Sequence, residues 1–137
     1  MTRYVHYVID ASAAVEYLLR TDLGLKIADL IDGADLLAPA LLDVEVLSVL
    51  RRGILRKELD EQRAFLALED LLDWPIERIP HLSLILEAWQ HRHNVSAYDA
   101  CYVVAARTYN MPLLTADGPL SRAPALGIVV ENVRLDS

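Results

Sequence analysis

The sequence predicts an α/β fold, a central parallel sheet with helices on both faces. Short β-branched or aromatic runs alternate with longer runs of helical periodicity from one end to the other. Strands separated by helices pair in parallel through right-handed crossovers. The 137 residues suit one domain with one sizeable core, so residues 1–137 are read as a single unit.

The elements follow in order. Residues 4–9 are short, β-branched and aromatic, and read as a buried strand. Residues 12–20 and 22–31 read as helices, and Asp32-Gly33-Ala34-Asp35 as a turn. Residues 36–38 form a short strand. Pro39 suits the first turn of a long helix running to Arg52, with Gly53 near its end. Residues 59–72 repeat Leu and Phe at helical spacing until Trp74-Pro75. Residues 76–79 are a strand, 83–92 and 96–108 helices, and 111–115 a strand. Residues 117–123 form a helical turn, and 128–130 a last strand.

Composition narrows the function. The chain is 54% apolar and 24% charged, which excludes a largely disordered protein. No apolar run approaches a membrane span, and the run ending at Asp10 is too short for an export signal. With Cys101 the single cysteine, a cytoplasmic location is expected. A net charge of −7 argues against bulk attraction to nucleic acid, unless cations neutralise clustered carboxylates. Lys26 and Lys57 are the only lysines among 13 basic residues, and arginine suits bidentate phosphate contacts as well as surface ion pairs.

In parallel α/β sheets, sites form outside the carboxyl ends of strands where strand order reverses. Asp10 directly follows the first strand, and Asp117 lies two residues after Leu113-Leu114-Thr115. Each acid has a plainer explanation. Asp10 or Ser12 could cap the next helix. Glu45, in a helix apolar almost all round and therefore expected to be buried, could pair with Arg52 or face water. Ser96-Ala97-Tyr98-Asp99 fits a variant capping box. Asp117 before Gly118 is ordinary turn chemistry. Asp43 near a helix start is explained by the helix dipole. Together, however, Asp10, Glu45, Asp99 and Asp117 suit a hard divalent cation, which prefers carboxylate oxygen and relieves mutual repulsion.

Other chemistries lack support. His91 and His93 are two apart on a helix and point in different directions. His6 alternates with apolar residues in a strand and reads as structural, His81 after Pro80 begins a helix, and Cys101 reads as a small core residue. There is no zinc motif, P-loop or dinucleotide fingerprint.

Four segments, in this order, resemble the PIN-domain family. They are Val8-Ile9-Asp10-Ala11-Ser12, Glu45 in its apolar helix, Tyr98-Asp99-Ala100-Cys101-Tyr102-Val103-Val104-Ala105, and Leu114-Thr115-Ala116-Asp117. Within the family the chain is most similar to ribonuclease toxins of VapBC-type toxin–antitoxin pairs. The resemblance implies a three-layer α/β/α sandwich around about five parallel strands. It implies Mg²⁺ or Mn²⁺ at Asp10, Asp99 and Asp117, with Glu45 acting through water or a second metal. Ser12 and Thr115 would orient carboxylates and water. It implies endonucleolytic RNA cleavage by metal-activated water, leaving a 5′-phosphate and a 3′-hydroxyl. Asn110 stands where such sequences often carry Gly, and Asn tolerates the left-handed conformation needed there.

Rival readings fit less well. An aspartyl phosphatase would carry a second acid where Ser12 stands, and a receiver domain would need a lysine beyond Lys57. The strongest alternative is a noncatalytic domain of the same fold that binds RNA or protein. The resemblance also implies a symmetric homodimer and a small antitoxin. The antitoxin would lay an amphipathic helix among Leu18, Leu19, Leu30, Phe65, Leu68 and Leu72, unless the core consumes them.

Overall fold

Residues 4–121 and 127–134 are described by a computed structural model. Five strands, β1 (His6–Ile9), β2 (Asp35–Pro39), β3 (Glu77–Ile79), β4 (Leu113–Thr115) and β5 (Val130–Asn132), form one sheet in the order β3-β2-β1-β4-β5. Every neighbouring pair is parallel. The helices are α1 (Ala11–Leu19), α2 (Asp22–Ile31), α3 (Leu42–Leu55), α4 (Glu61–Asp73), α5 (Ile85–Trp89), α6 (Ala97–Tyr109) and α7 (Gly118–Ser121). Successive strand residues point to opposite faces, and Tyr7, Val8 and Ile9 are all fully buried, so helices cover both faces of β1. This is the expected α/β/α sandwich. No helix among the described residues is long and apolar enough to cross a membrane.

Strand order reverses between β1 and β4, where Val8 pairs with Leu113 and Ile9 with Leu114. Asp10 and Thr115 therefore stand side by side at the carboxyl ends of the two central strands. On one side α1 packs with α2, α3 and α4, while α6 packs on β1, β2 and β4 and against α5.

Several boundaries differ from expectation. Pro39 closes β2 and does not open α3. Its missing N–H is tolerated at the end of a strand, and Ala40 N continues the ladder to Ile79 O at 2.8 Å. Helix α3 runs through Gly53 to Leu55, and Gly53 marks a close approach, because a Cβ there would lie 3.1 Å from the Leu59 side chain. The helix buried nearly all round is α6, whose residues 100–106 are all buried. In α3 only Leu42, Val46 and Leu50 are buried, a stripe spaced four apart. Residues 83–92 split into a 3-10 turn (His81–Leu84) and the short α5. Strand β5 lies two residues later than expected, in register with β4. The part of the 117–123 turn after residue 121 lies outside the described residues.

Two contacts fix the layer around α1. Asp43 accepts from Arg78 Nε at 3.0 and 3.2 Å, and Arg78 also donates to the carbonyls of Leu71, Trp74 and Ile76. Asp43 thus ties α3 to β3 and the end of α4. Gly24 sits against the α1 backbone, where a Cβ would lie 1.9 Å from Glu16 O. Helices α1 and α2 would have to separate to admit a methyl group. We expect Gly24→Ala to lower unfolding stability by about 3 kcal/mol, the upper range for overpacking, read as a lower urea midpoint. An unchanged midpoint would show that α2 docks more loosely.

Candidate active site

Asp10 is the N-cap of α1, with extended backbone angles (φ −93°, ψ 173°) and Oδ1 accepting from Ala13 N at 3.0 Å. Capping and site formation coincide, because the cap places the carboxylate at the strand–helix junction. Ser12 Oγ donates to Asp10 Oδ1 at 2.6 Å, and Thr115 Oγ1 donates to Asp10 Oδ2. Each hydroxyl also accepts a backbone N–H, Ser12 from Ala116 and Thr115 from Asp117, both at 2.9 Å. Both hydroxyl hydrogens are thus directed at Asp10, and the pair stitches the end of β4 to the start of α1. Thr115 is fully buried, whereas Ser12 reaches the cavity wall.

The other three acids arrive from separate elements. Ser96 caps α6 by accepting from Asp99 N at 3.1 Å, which leaves Asp99 in the first turn with its side chain toward the cavity. Glu45, from α3, is half-buried and accepts from Tyr102 Oη at 2.6 Å through Oε1, while the alternative pairing with Arg52 is absent among the described residues. Asp117 follows β4 on a loop braced by Asn132 Nδ2, which donates to Asp117 O at 3.0 Å. Arg134 braces the same loop, with Nε on Ala116 O at 3.0 Å and a terminal nitrogen on Glu16 at 2.7 Å. One cavity of about 380 Å³ is lined by Asp10, Ser12, Glu45, Asp99, Tyr102 and Asp117, among others.

Burial and mutual repulsion set the electrostatics. Burial pushes the Asp10 carboxyl up to about 6, against the pull of Ser12, Thr115 and Ala13 N–H, and the charge of Asp99 adds to the rise. Burial also raises Glu45, opposed by the Tyr102 hydrogen bond and reinforced by Asp99. Asp99 is raised by burial and then by Asp117. Burial and the Glu45 charge raise Tyr102, which keeps its proton as a donor, and they raise the Cys101 thiol. None of the four ion pairs among the described residues involves any of the four acids.

The donor set is all oxygen, anionic and without a compensating side chain, which fits a hard divalent cation. Among the described residues, no group of three or more His, Cys, Asp or Glu is already disposed to hold a metal ion. The acids therefore line the cavity without closing on a common point. Such an arrangement suits an ion like Mg²⁺, which keeps several waters and takes only one or two carboxylates directly.

Sequence reasoning missed Tyr102, Asn132 and Arg134. Tyr102 was findable, because it lies three residues after Asp99 on one helix face and a buried phenol needs a partner. Asn132 and Arg134 carry no local signal.

Comparison with known proteins bears on the family and the fold. A family model described as PIN domain matches residues 7–126. The chain is 40% identical over 129 residues to "Ribonuclease VapC1" of Mycobacterium tuberculosis, covering 93% of this chain and 97% of that one. The crystal structure of PAE2754 from Pyrobaculum aerophilum superposes with a TM-score of 0.63 at 22% identity, covering 92% and 90% of the two chains. A chain of VapBC2 from Rickettsia felis, solved bound to a DNA fragment from its promoter, gives a TM-score of 0.57 at 18% identity over 93% and 98%.

Proposed function

The chain belongs to the PIN-domain family, and from that premise we propose that it is a divalent-metal-dependent endoribonuclease, the toxin of a VapBC-type toxin–antitoxin pair acting in the cytoplasm. The observation that carries this reading is the convergence of four uncompensated carboxylates, from four chain segments, on one cavity at the strand-order reversal. The 40% identity to a protein named a ribonuclease supports RNA as the substrate.

Asp10, Asp99, Asp117 and Glu45 would hold Mg²⁺ or Mn²⁺, directly or through water. When bound, such a cation acidifies water and neutralises charge on the phosphoryl group and leaving oxygen. The protein's part is positioning and proton transfer. Ser12 and Thr115 fix both oxygens of Asp10. Tyr102 occupies Glu45 Oε1 and leaves Oε2 to accept a proton from water. The raised proton affinity of Glu45 suits a general base. Water then bonds to phosphorus as the bond to the 3′-oxygen breaks, its proton passing to Glu45, and the departing 3′-oxygen takes a proton from solvent, leaving a 5′-phosphate and a 3′-hydroxyl.

An antitoxin partner is supported by the VapBC assembly among the fold neighbours. Of the six apolar residues expected at its groove, Leu18 and Leu30 belong to the core and Leu19 and Leu68 are partly buried. Phe65 and Leu72 are 61% and 82% exposed on α4, which leaves an apolar strip for an amphipathic helix. A second copy of the chain would cover the separate apolar surface of Leu82, Leu86 and Trp89 around α5.

The test is cleavage of an RNA pool by the purified chain, with the product ends identified. We expect 5′-phosphate and 3′-hydroxyl ends, and loss of cleavage when the chain is co-expressed and co-purified with the small protein from the adjacent reading frame. Intact RNA at saturating Mg²⁺ and Mn²⁺ would overturn the enzymatic reading. A neighbour that neither binds nor inhibits would remove the toxin assignment.

A further inference from the structure

We propose that Arg52 and Tyr98 form an RNA-docking track into the carboxylate cavity, Arg52 binding a phosphate beside the scissile one and Tyr98 stacking on a base. This rests on the ribonuclease reading and names the single-stranded substrate of that same site. The track is continuous. Glu45 and Val49 line the carboxylate cavity, and both also line a neighbouring hollow with Val44, Ser48, Arg52 and Tyr98. Val49 and Arg52 then line a third hollow together with Gly53 and Arg56.

Along α3, Glu45, Val49, Arg52 and Arg56 recur at three- and four-residue spacing and share one face. Seven residues of helix place Arg52 about 10 Å along the axis from Glu45, room for an adjoining nucleotide. Arg52 and Arg56 take part in no ion pair among the described residues. A cation near a helix carboxyl end is favoured by the dipole alone. That preference does not explain why this face leads into the acidic cavity. A chain of net charge −7 with four clustered acids repels a polyanion, so RNA entry needs local cations set back from the acids.

Tyr98 supplies the second half. It adjoins Asp99, is 63% exposed, and joins neither of the ring contacts among the described residues. Exposed aromatics beside basic grooves are the usual platforms for unstacked bases.

The experiment uses the full chain and a short fluorescent single-stranded RNA. Anisotropy is read in chelator over a series of low salt concentrations, and cleavage kinetics in Mn²⁺. Arg52→Gln is expected to weaken binding about tenfold and to reduce the slope of log affinity against log salt by about 0.7, one lost phosphate contact. Tyr98→Ala should weaken binding about tenfold with the slope unchanged, and Tyr98→Phe should bind as wild type because the ring does the stacking. In cleavage, both weakened variants should raise KM with kcat held. Lys26→Gln, on α2 away from the track, should match wild type in every readout. Wild-type affinity and KM in Arg52→Gln and Tyr98→Ala would overturn the track and leave the ribonuclease reading intact. A wild-type chain that neither binds nor cleaves RNA would overturn both.

Discussion

Asp10→Asn is expected to lose at least about a thousandfold in RNA cleavage while the metal-free chain becomes no less stable. The loss reflects the several kcal/mol that a correctly held metal supplies to a phosphoryl transition state. The stability effect follows from burial. The carboxyl is only 4% exposed, and its pKa rises from 3.8 to about 6. The folded chain then holds the Asp10 proton more tightly than the unfolded chain does. Ionising it at neutral pH therefore costs up to about 3 kcal/mol. Asparagine removes that penalty. Part of the gain is lost, because an amide N–H₂ must face a Ser12 or Thr115 hydroxyl that now donates. Asp99→Asn should be comparably inactive, with a smaller stability gain at its half-buried position. A rate near wild type at wild-type metal concentration would remove Asp10 from the site. A melting point lowered by many degrees would mean that the ionised carboxylate stabilises the fold and that its burial carries no net penalty.

Metal removal should have an effect of similar size and a distinctive pH signature. Chelation should abolish cleavage, and Mg²⁺ or Mn²⁺ should restore it. In the metal-free chain, the Asp10 contribution has a definite sign. Its folded pKa is raised, so its contribution is most favourable below the unfolded value of 3.8 and declines as pH rises through about 6. Glu45 and Asp99 shift in the same direction. Other carboxylates also titrate there, so the informative quantity is the unfolding free energy of wild type minus that of Asp10→Asn. We expect this difference to fall between pH 4 and pH 6 and then level off. Saturating metal should reverse the loss in wild type, because a ligand that binds only the folded chain stabilises it by mass action. A difference flat across that window would mean that burial does not control Asp10.

The parts of this molecule legible in its sequence are those written locally. Short, largely apolar runs place β1 and β4, and an acid immediately after β1 is visible as a site candidate because strand ends at an order reversal are where parallel sheets bind ligands. Ser96 and Asp99 were legible as a cap, and the cap turns out to be what aims Asp99. Long-range partners left no trace. The Glu45–Tyr102 hydrogen bond spans 57 residues, and the Asp43–Arg78 clamp spans 35. Apolar content misled at α3, where Val44 and Leu47 are 68% and 52% exposed. Composition reports how apolar a helix is, and neighbouring elements decide which stripe is covered. Both exposed residues lie on the helix that also carries Glu45 and Arg52.

The most direct test of the carboxylate cluster as the cation site is calorimetric titration of Mn²⁺ into the metal-free chain near pH 6. It is run in two buffers of different ionisation heat, so that proton release can be counted. Because Asp10 is partly protonated at that pH, binding in wild type should expel a proton from it, and the release should shrink as pH rises toward 8. Asp10→Asn should bind far more weakly and lose that proton release. Binding of equal strength and equal proton release in wild type and Asp10→Asn would contradict the assignment.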